Sequence, residues 1–204
     1  MKPLPDLSLS LLERCFARTF QALLEGERVS FARELSRIAA RGGVRELRGF
    51  PALLAAKKWP AGRGFIPDLA LLELELKLAS LAPEVACSGF ERVATAVEPD
   101  WYAARFRFDP GHRLLDSDWP LHLAFAEPKA SFDPSPSTLL IYRAEGKAHF
   151  RLLGENEAAL IRSLELGVPL GKVLERKLGP DFDAMTFHRW MESGLLRAID
   201  WAPV

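Results

Sequence analysis

The stretch that most restricts the fold of this chain is 138–153. Thr138-Leu139-Leu140-Ile141-Tyr142-Arg143 is β-branched and apolar, Ala144-Glu145-Gly146-Lys147 is a Gly-containing turn, and His149-Phe150-Arg151-Leu152-Leu153 returns. Two such runs around a short Gly-bearing loop predict a β-hairpin. Three helix signals follow. Glu155 and Glu157 place negative charge where a first helical turn favours it, with Ala158, Ile161 and Leu164 as the apolar stripe and Gly167 as the stop. Pro169 opens a second helix carrying Leu170, Val173, Leu174 and Leu178, closed by Gly179-Pro180. Asp181 or Asp183 caps a third, on which Phe187, Trp190 and Met191 share a face before Gly194. Leu195 to Trp201 reads as a closing strand. Hairpin, three helices and strand together predict a winged-helix-like module over 137–204.

The first part of the chain is helical in pattern. Amphipathic helices are expected over Leu9–Glu25, Ser30–Ala40 and Val44–Ala56. The longest, Pro67–Leu81, is apolar around so much of its circumference that it must be a buried central helix. Glu73, Glu75 and Lys77 then need an exposed edge or a partner. Glu73 and Glu75 diverge on a helix because they are two residues apart, so they do not form an acid/base pair. Trp101–Phe108 alternates in part, as a strand does, Arg113–Leu115 continues extended, and Ser117 to Phe125 starts a short helix at Pro120. Residues 127–136 hold Pro128, Pro134 and Pro136. The expected fold is therefore α+β: a mainly helical domain over 1–127 with a short strand region near 101–116, a Pro-rich linker over 128–136, and the winged-helix-like domain over 137–204.

Composition excludes several classes. Of 204 residues 49% are hydrophobic and the charges balance at 27 and 27, which suits a buried core and not a disordered chain. No apolar run reaches spanning length and the N-terminus lacks a basic segment followed by an apolar one, so neither a membrane span nor a secretion signal is expected. Cys15 and Cys87 are far apart and have no metal-ligand spacing, which makes a reducing cytoplasm the expected location.

Catalytic patterns are missing: no phosphate loop, no dinucleotide fingerprint, no nucleophile elbow, no paired-histidine metal motif. His112, His122, His149 and His188 stand singly. No catalytic residue, metal ligand or cofactor is therefore assigned. Between Arg28 and Arg63 nine basic residues face two acidic ones, and Arg33, Arg37 and Arg41 are four apart, with Arg45 following. This basic patch is either a solvated face or a surface for an acidic partner, peptide or nucleic acid. The third helix of the module, in contrast, carries little positive charge, so phosphate attraction there is poor and nucleic acid is not the expected ligand. Capture of an extended peptide along the hairpin edge suits it better. The residues placed at that contact are His149, Phe150, Arg151, Leu152 and Leu153 on the strand and Phe187, His188 and Met191 on the third helix.

Three stretches carry a family resemblance: Phe65-Ile66-Pro67-Asp68-Leu69-Ala70-Leu71-Leu72-Glu73, Arg113-Leu114-Leu115-Asp116-Ser117-Asp118-Trp119-Pro120-Leu121, and Leu140-Ile141-Tyr142-Arg143. In this order they resemble the aromatic-Leu-Pro-Asp, Arg-Leu-Leu-x-Ser-x-Trp-Pro and Val-Tyr-Arg segments of the HvfC/BufC family, over about residues 48–200. The N-terminal part of that family is named for DNA binding, but its usual Tyr-Arg-Asn-Asn segment has no counterpart here. The resemblance implies a partner subunit of a multinuclear non-haem iron oxidative enzyme, joined to it as a heterodimer, in the modification of ribosomally made peptides. It also implies a C-terminal precursor-peptide recognition element. The implied function is non-catalytic: holding the leader of a precursor peptide and presenting it to the iron enzyme. The alternative is a DNA-binding transcriptional regulator using the basic 28–63 segment.

Overall fold

The structure is a computed structural model and describes residues 14–42, 47–175 and 184–201. It is a mixed α+β fold, 50% helical and 18% strand. In chain order the elements are α1 (Ala17–Ala22), α2 (Glu25–Gly42), α3 (Gly49–Ala55), α4 (Ile66–Ser80), a 3-10 turn (Phe90–Arg92), α5 (Glu98–Ala103), β1 (Arg105–Phe108), β2 (Arg113–Ser117), α6 (Leu121–Ala126), β3 (Ser137–Ala144), β4 (Lys147–Leu153), α7 (Glu155–Glu165), α8 (Leu170–Glu175), α9 (Ala184–Glu192) and β5 (Leu196–Asp200). The predicted hairpin and the order of its three following helices are present. Among the described residues no helix is long and apolar enough to cross a membrane.

Two compact units divide the chain. One comprises 1–77 and 115–139, the other 78–114 and 140–204. The divisions fall within α4, β2 and β3, so the Pro-rich 128–136 segment belongs wholly to the first unit and separates nothing. Its Phe132 packs edge-on against Phe65 at 5.3 Å, and its backbone N–H donates to the Gly62 carbonyl at 2.9 Å. The second unit likewise extends well beyond 137–204, because it takes in 78–114.

In the first unit, Phe50 is fully buried, with Phe16 at 4.8 Å, Phe31 at 6.3 Å and Phe20 at 6.4 Å between ring centroids. α4 is buried along most of its length, as its all-round apolar pattern requires, and Glu73 does not find an exposed edge. Its carboxylate accepts hydrogen bonds from the backbone N–H of Arg18 at 2.7 Å and of Thr19 at 2.8 Å, and from the Thr19 hydroxyl at 2.7 Å. Residue 16, at the N-cap of α1, is a phenylalanine and has no oxygen with which to cap. Glu73, far away in sequence, supplies that oxygen and also a charge that favours a helix N-terminus. At the other end of α1, Arg28 donates to the carbonyls of Leu23 and Gln21, and Arg63 donates to that of Ala22. A six-residue helix is too short to hold itself in water, and these outside groups satisfy its ends.

The first two family-like stretches also converge in this unit. The Ser117 hydroxyl donates to Asp68 at 2.6 Å and accepts from the Trp119 N–H at 3.0 Å. Gly64 lies flat against the indole of Trp119, and a Cβ at that position would stand 2.3 Å from the ring. The Trp119 carbonyl accepts from the Ser137 hydroxyl at 2.6 Å. These residues brace one another, which gives the Trp-Pro segment a folding role.

The hairpin, most of it in the second unit, is joined by β2, in the order β2-β3-β4. The closing strand does not join it. β5 pairs antiparallel with β1, Phe106 opposite Ile199, and on its other side bridges Ser88, whose N–H donates to Arg197 O at 3.0 Å. Gly89 permits that approach: its φ is +79°, and a Cβ there would stand 2.1 Å from the Ile199 carbonyl oxygen. The strand expected from Trp101 begins only at Arg105. Pro99 in the first turn, flanked by Glu98 and Asp100, starts helix α5 instead, and the apparent alternation at Tyr102 and Ala104 crosses the helix end. The core joins β1, α7, α8, α9 and β5, with Trp190 at 1% exposure.

Removing the borrowed cap tests the account of α1. Glu73→Ala should lower stability by about 2–3 kcal/mol, because it orphans buried donors and removes charge-assisted bonds. Urea denaturation should show a reduced midpoint with an unchanged slope, and amide exchange at Arg18 and Thr19 should accelerate.

Candidate functional site

The second unit contains a cleft of about 1190 Å³. Its walls are Tyr142 of β3, Arg151 of β4, the first turn of α7 at Glu155 and Glu157, and Arg189 and Trp190 of α9. The alternation of a strand places these residues. Along β3, Leu140 and Tyr142 face the cleft and core side, while Leu139 and Ile141 face the other way; Arg143, near the strand end, also borders the cleft. Along β4 the same side carries Lys147, His149, Arg151 and Leu153, and the opposite side Ala148, Phe150 and Leu152.

One polar network organises the cleft wall. The Arg151 guanidinium grips the Glu157 carboxylate with both terminal nitrogens, and Glu157 Oε1 also accepts from Trp190 Nε1 at 2.9 Å. β4, α7 and α9 are thereby tied at one carboxylate. Burial raises the Glu157 pKa, but the bonds from Arg151 and Trp190 and the charges of Arg151 and Arg189 outweigh it and hold the carboxyl below its ordinary value. The bond to Glu157 holds the Arg151 guanidinium above its own ordinary value against the opposing effect of burial.

A second network is centred on Asp109, which is fully buried, and borders the cleft through Arg143 and Arg197. Its Oδ1 accepts from the Gly111 N–H at 2.8 Å, and its Oδ2 from Arg197 Nε at 2.9 Å and Arg143 Nη2 at 3.1 Å. Arg143 is 5% exposed and also donates to the carbonyls of Ala82 and Pro83 at 2.5 and 3.0 Å. Burial raises the Asp109 pKa, but the Gly111 bond and the two guanidiniums more than compensate, so the pKa is lowered. Arg143, the last residue of the third family-like stretch, is thus an internal fastening of the fold.

The eight residues placed at a peptide contact by sequence separate into different environments. Arg151 lines the cleft. His149 is exposed, with its ring 5.9 Å from that of Tyr142, and Leu152 is exposed at 48%. His188 is exposed and faces Glu192 one turn later at 3.1 Å. Phe150 is half-buried. Met191 is half-buried against the core. Leu153 and Phe187 are core residues: Phe187 stacks on Phe106 at 4.9 Å and meets Trp190 at 5.4 Å. Those two side chains belong mainly to the core, with 7% and 8% exposure. Glu157, Trp190, Asp109 and Arg197 were not singled out as site residues by sequence. Glu157 reads as an ordinary first-turn charge and Asp109 as a turn residue before Pro-Gly, and no local pattern announces their partners.

In the first unit, Arg33 and Arg37 stand exposed on one side of α2, with Arg37 bonded to Glu34 at 3.1 Å. The side chain of Arg41, and Arg45 altogether, lie outside the described residues. Three other basic residues of the 28–63 segment have internal work. Arg28 and Arg63 hold the end of α1, while Lys57 pairs with Glu27 and sits 4.6 Å from the Trp59 ring centroid. The segment's positive charge is thus partly spent inside the fold. Among the described residues no three His, Cys, Asp or Glu side chains group as metal ligands do.

Compared with known proteins, the chain matches no family model and no curated sequence.

Asp109 yields two expectations. Asp109→Asn should cost about 3–5 kcal/mol, since it leaves two guanidiniums without a buried counter-charge. Because the folded carboxyl titrates below its ordinary 3.8, the stability it contributes is complete above that value and disappears as pH falls through the folded pKa. Denaturant midpoints measured from pH 6 to pH 2 should fall in the acid range for the native chain, with that part of the slope missing in Asp109→Asn.

Proposed function

We propose that the second unit binds an extended peptide and serves as a non-catalytic presenter, holding the leader of a ribosomally made precursor for a multinuclear non-haem iron oxidative enzyme with which this chain forms a heterodimer. The observation that carries the peptide part is the strand order. β4 is the outermost strand of its sheet, and among the described residues no other backbone pairs with its outer side. Such a margin offers a row of N–H and C=O groups to an added strand. β5, by contrast, is flanked by β1 on one side and Ser88 on the other; the other margin of the hairpin sheet is β2, and the cleft lined by Arg151 favours β4 over it. The neighbouring cleft, with Arg151 on β4 and Trp190 on α9, adds room for side chains next to that edge.

The winged-helix comparison belongs to this proposal. Hairpin and three helices follow one another as β3-β4-α7-α8-α9, as in the module resembling a precursor-peptide recognition element, with β4 and α9 as the two elements next to the ligand, while its closing strand β5 pairs with β1. The enzyme partner rests on the resemblance of the three sequence stretches to the HvfC/BufC family. The rival reading, a nucleic-acid-binding regulator, retains the exposed pair Arg33 and Arg37 on α2 and loses Arg28, Lys57 and Arg63 to internal bonds. It predicts duplex binding that weakens steeply with salt.

A labelled precursor peptide encoded beside this gene provides the test. It should bind the full chain, and Leu152→Asp should weaken binding by about tenfold or more while leaving the fold intact, because the side chain is 48% exposed. Unchanged affinity in that variant, with native circular dichroism, would remove β4 from the contact.

A further inference from the structure

Resting on the reading of β4 as a peptide-binding margin, we propose that the peptide it takes is one in which acidic and apolar residues alternate. The strand's own two faces supply the reason. Lys147, His149 and Arg151 occupy one face at successive alternate positions, and Ala148, Phe150 and Leu152 occupy the other. Lys147 and His149 are exposed. Leu152 is exposed at 48%, although it is a large apolar side chain on a strand.

A strand added beside β4 places its own side chains in the same two rows. Residues on the first row come within about 4.5–5.5 Å of Lys147, His149 and Arg151, the separation at which opposite charges attract and like charges repel across neighbouring strands. Carboxylates fit that row. Arg151 is already held by Glu157, so the charge open to the peptide is that of Lys147, with the imidazole of His149 next to it. Residues on the second row lie beside Leu152 and cover it if they are apolar. A peptide with the opposite charge pattern would place Lys or Arg against Lys147. A slip of one residue exchanges the two rows and sets carboxylates against Leu152, so the arrangement fixes which face of the peptide meets each row.

Two fluorescein-labelled eight-residue peptides, one alternating Glu and Val and the other Lys and Val, test this on the full chain by fluorescence anisotropy. The Glu-Val peptide should bind about tenfold more tightly or better, and the difference should narrow as salt is raised. The double substitution Lys147→Glu with His149→Glu, both on exposed positions, should reverse the preference while circular dichroism stays native. Equal affinity for the two peptides, or tighter binding of Lys-Val, would overturn the alternation and leave strand addition at β4 standing. Failure of both peptides to bind would overturn the alternation together with the strand-addition reading beneath it.

Discussion

A carboxylate removed from water must be given its hydrogen bonds and a counter-charge, or it will not remain ionised. Asp109 meets that demand with a backbone N–H and two guanidiniums, and the demand fixes much of the second unit. Arg143 comes from β3, Arg197 from β5, and Arg143 reaches on to the carbonyls of residues 82 and 83. The β1-β5 pair and the hairpin share no strand pairing, so side chains must couple them, and Asp109 lies where β1 ends. Fixing β3 in this way also fixes the face that carries Tyr142 and, through the hairpin, the position of β4.

The cleft has a smaller version of the same logic. Glu157 collects Arg151 and the Trp190 indole, so that a strand, the start of one helix and the middle of another converge on one group. The pair is half-buried in the cleft wall. A ligand bound at β4, as proposed, would meet an edge whose backbone is set by the hairpin and whose neighbouring side chain Arg151 is already oriented. Preorganisation of this kind lowers the ordering cost of binding.

Much of the fold was legible in the chain itself. The hairpin at 138–153, the buried character of 67–81 and the three helices after the hairpin follow from turn residues and apolar spacing, which act over a few positions. The site was only partly legible. The strand β4 itself was readable from the hairpin pattern, but that it is a margin of its sheet depends on where β2 pairs, which sequence does not record. The separation of His149 and Leu152, exposed, from Leu153 and Phe187, buried, depends on which faces the rest of the unit covers. The strand expected from Trp101 went astray because a short helix and a strand share apolar alternation over so few residues, and Pro99 decided between them.

Sequence by itself determined the local elements, the α+β content, the lack of a long apolar helix among the described residues, and the two-faced pattern of β4, since each depends on residues that are neighbours along the chain. Tertiary structure alone decided that β5 pairs with β1 and Ser88 and not with the hairpin, that Glu73 caps α1, and that Asp109 joins Arg143 and Arg197. Those partners are 34 to 110 residues apart or are set by which edge is left open. Burial and charge compensation select them only once the chain has closed on itself, and no periodicity records that choice.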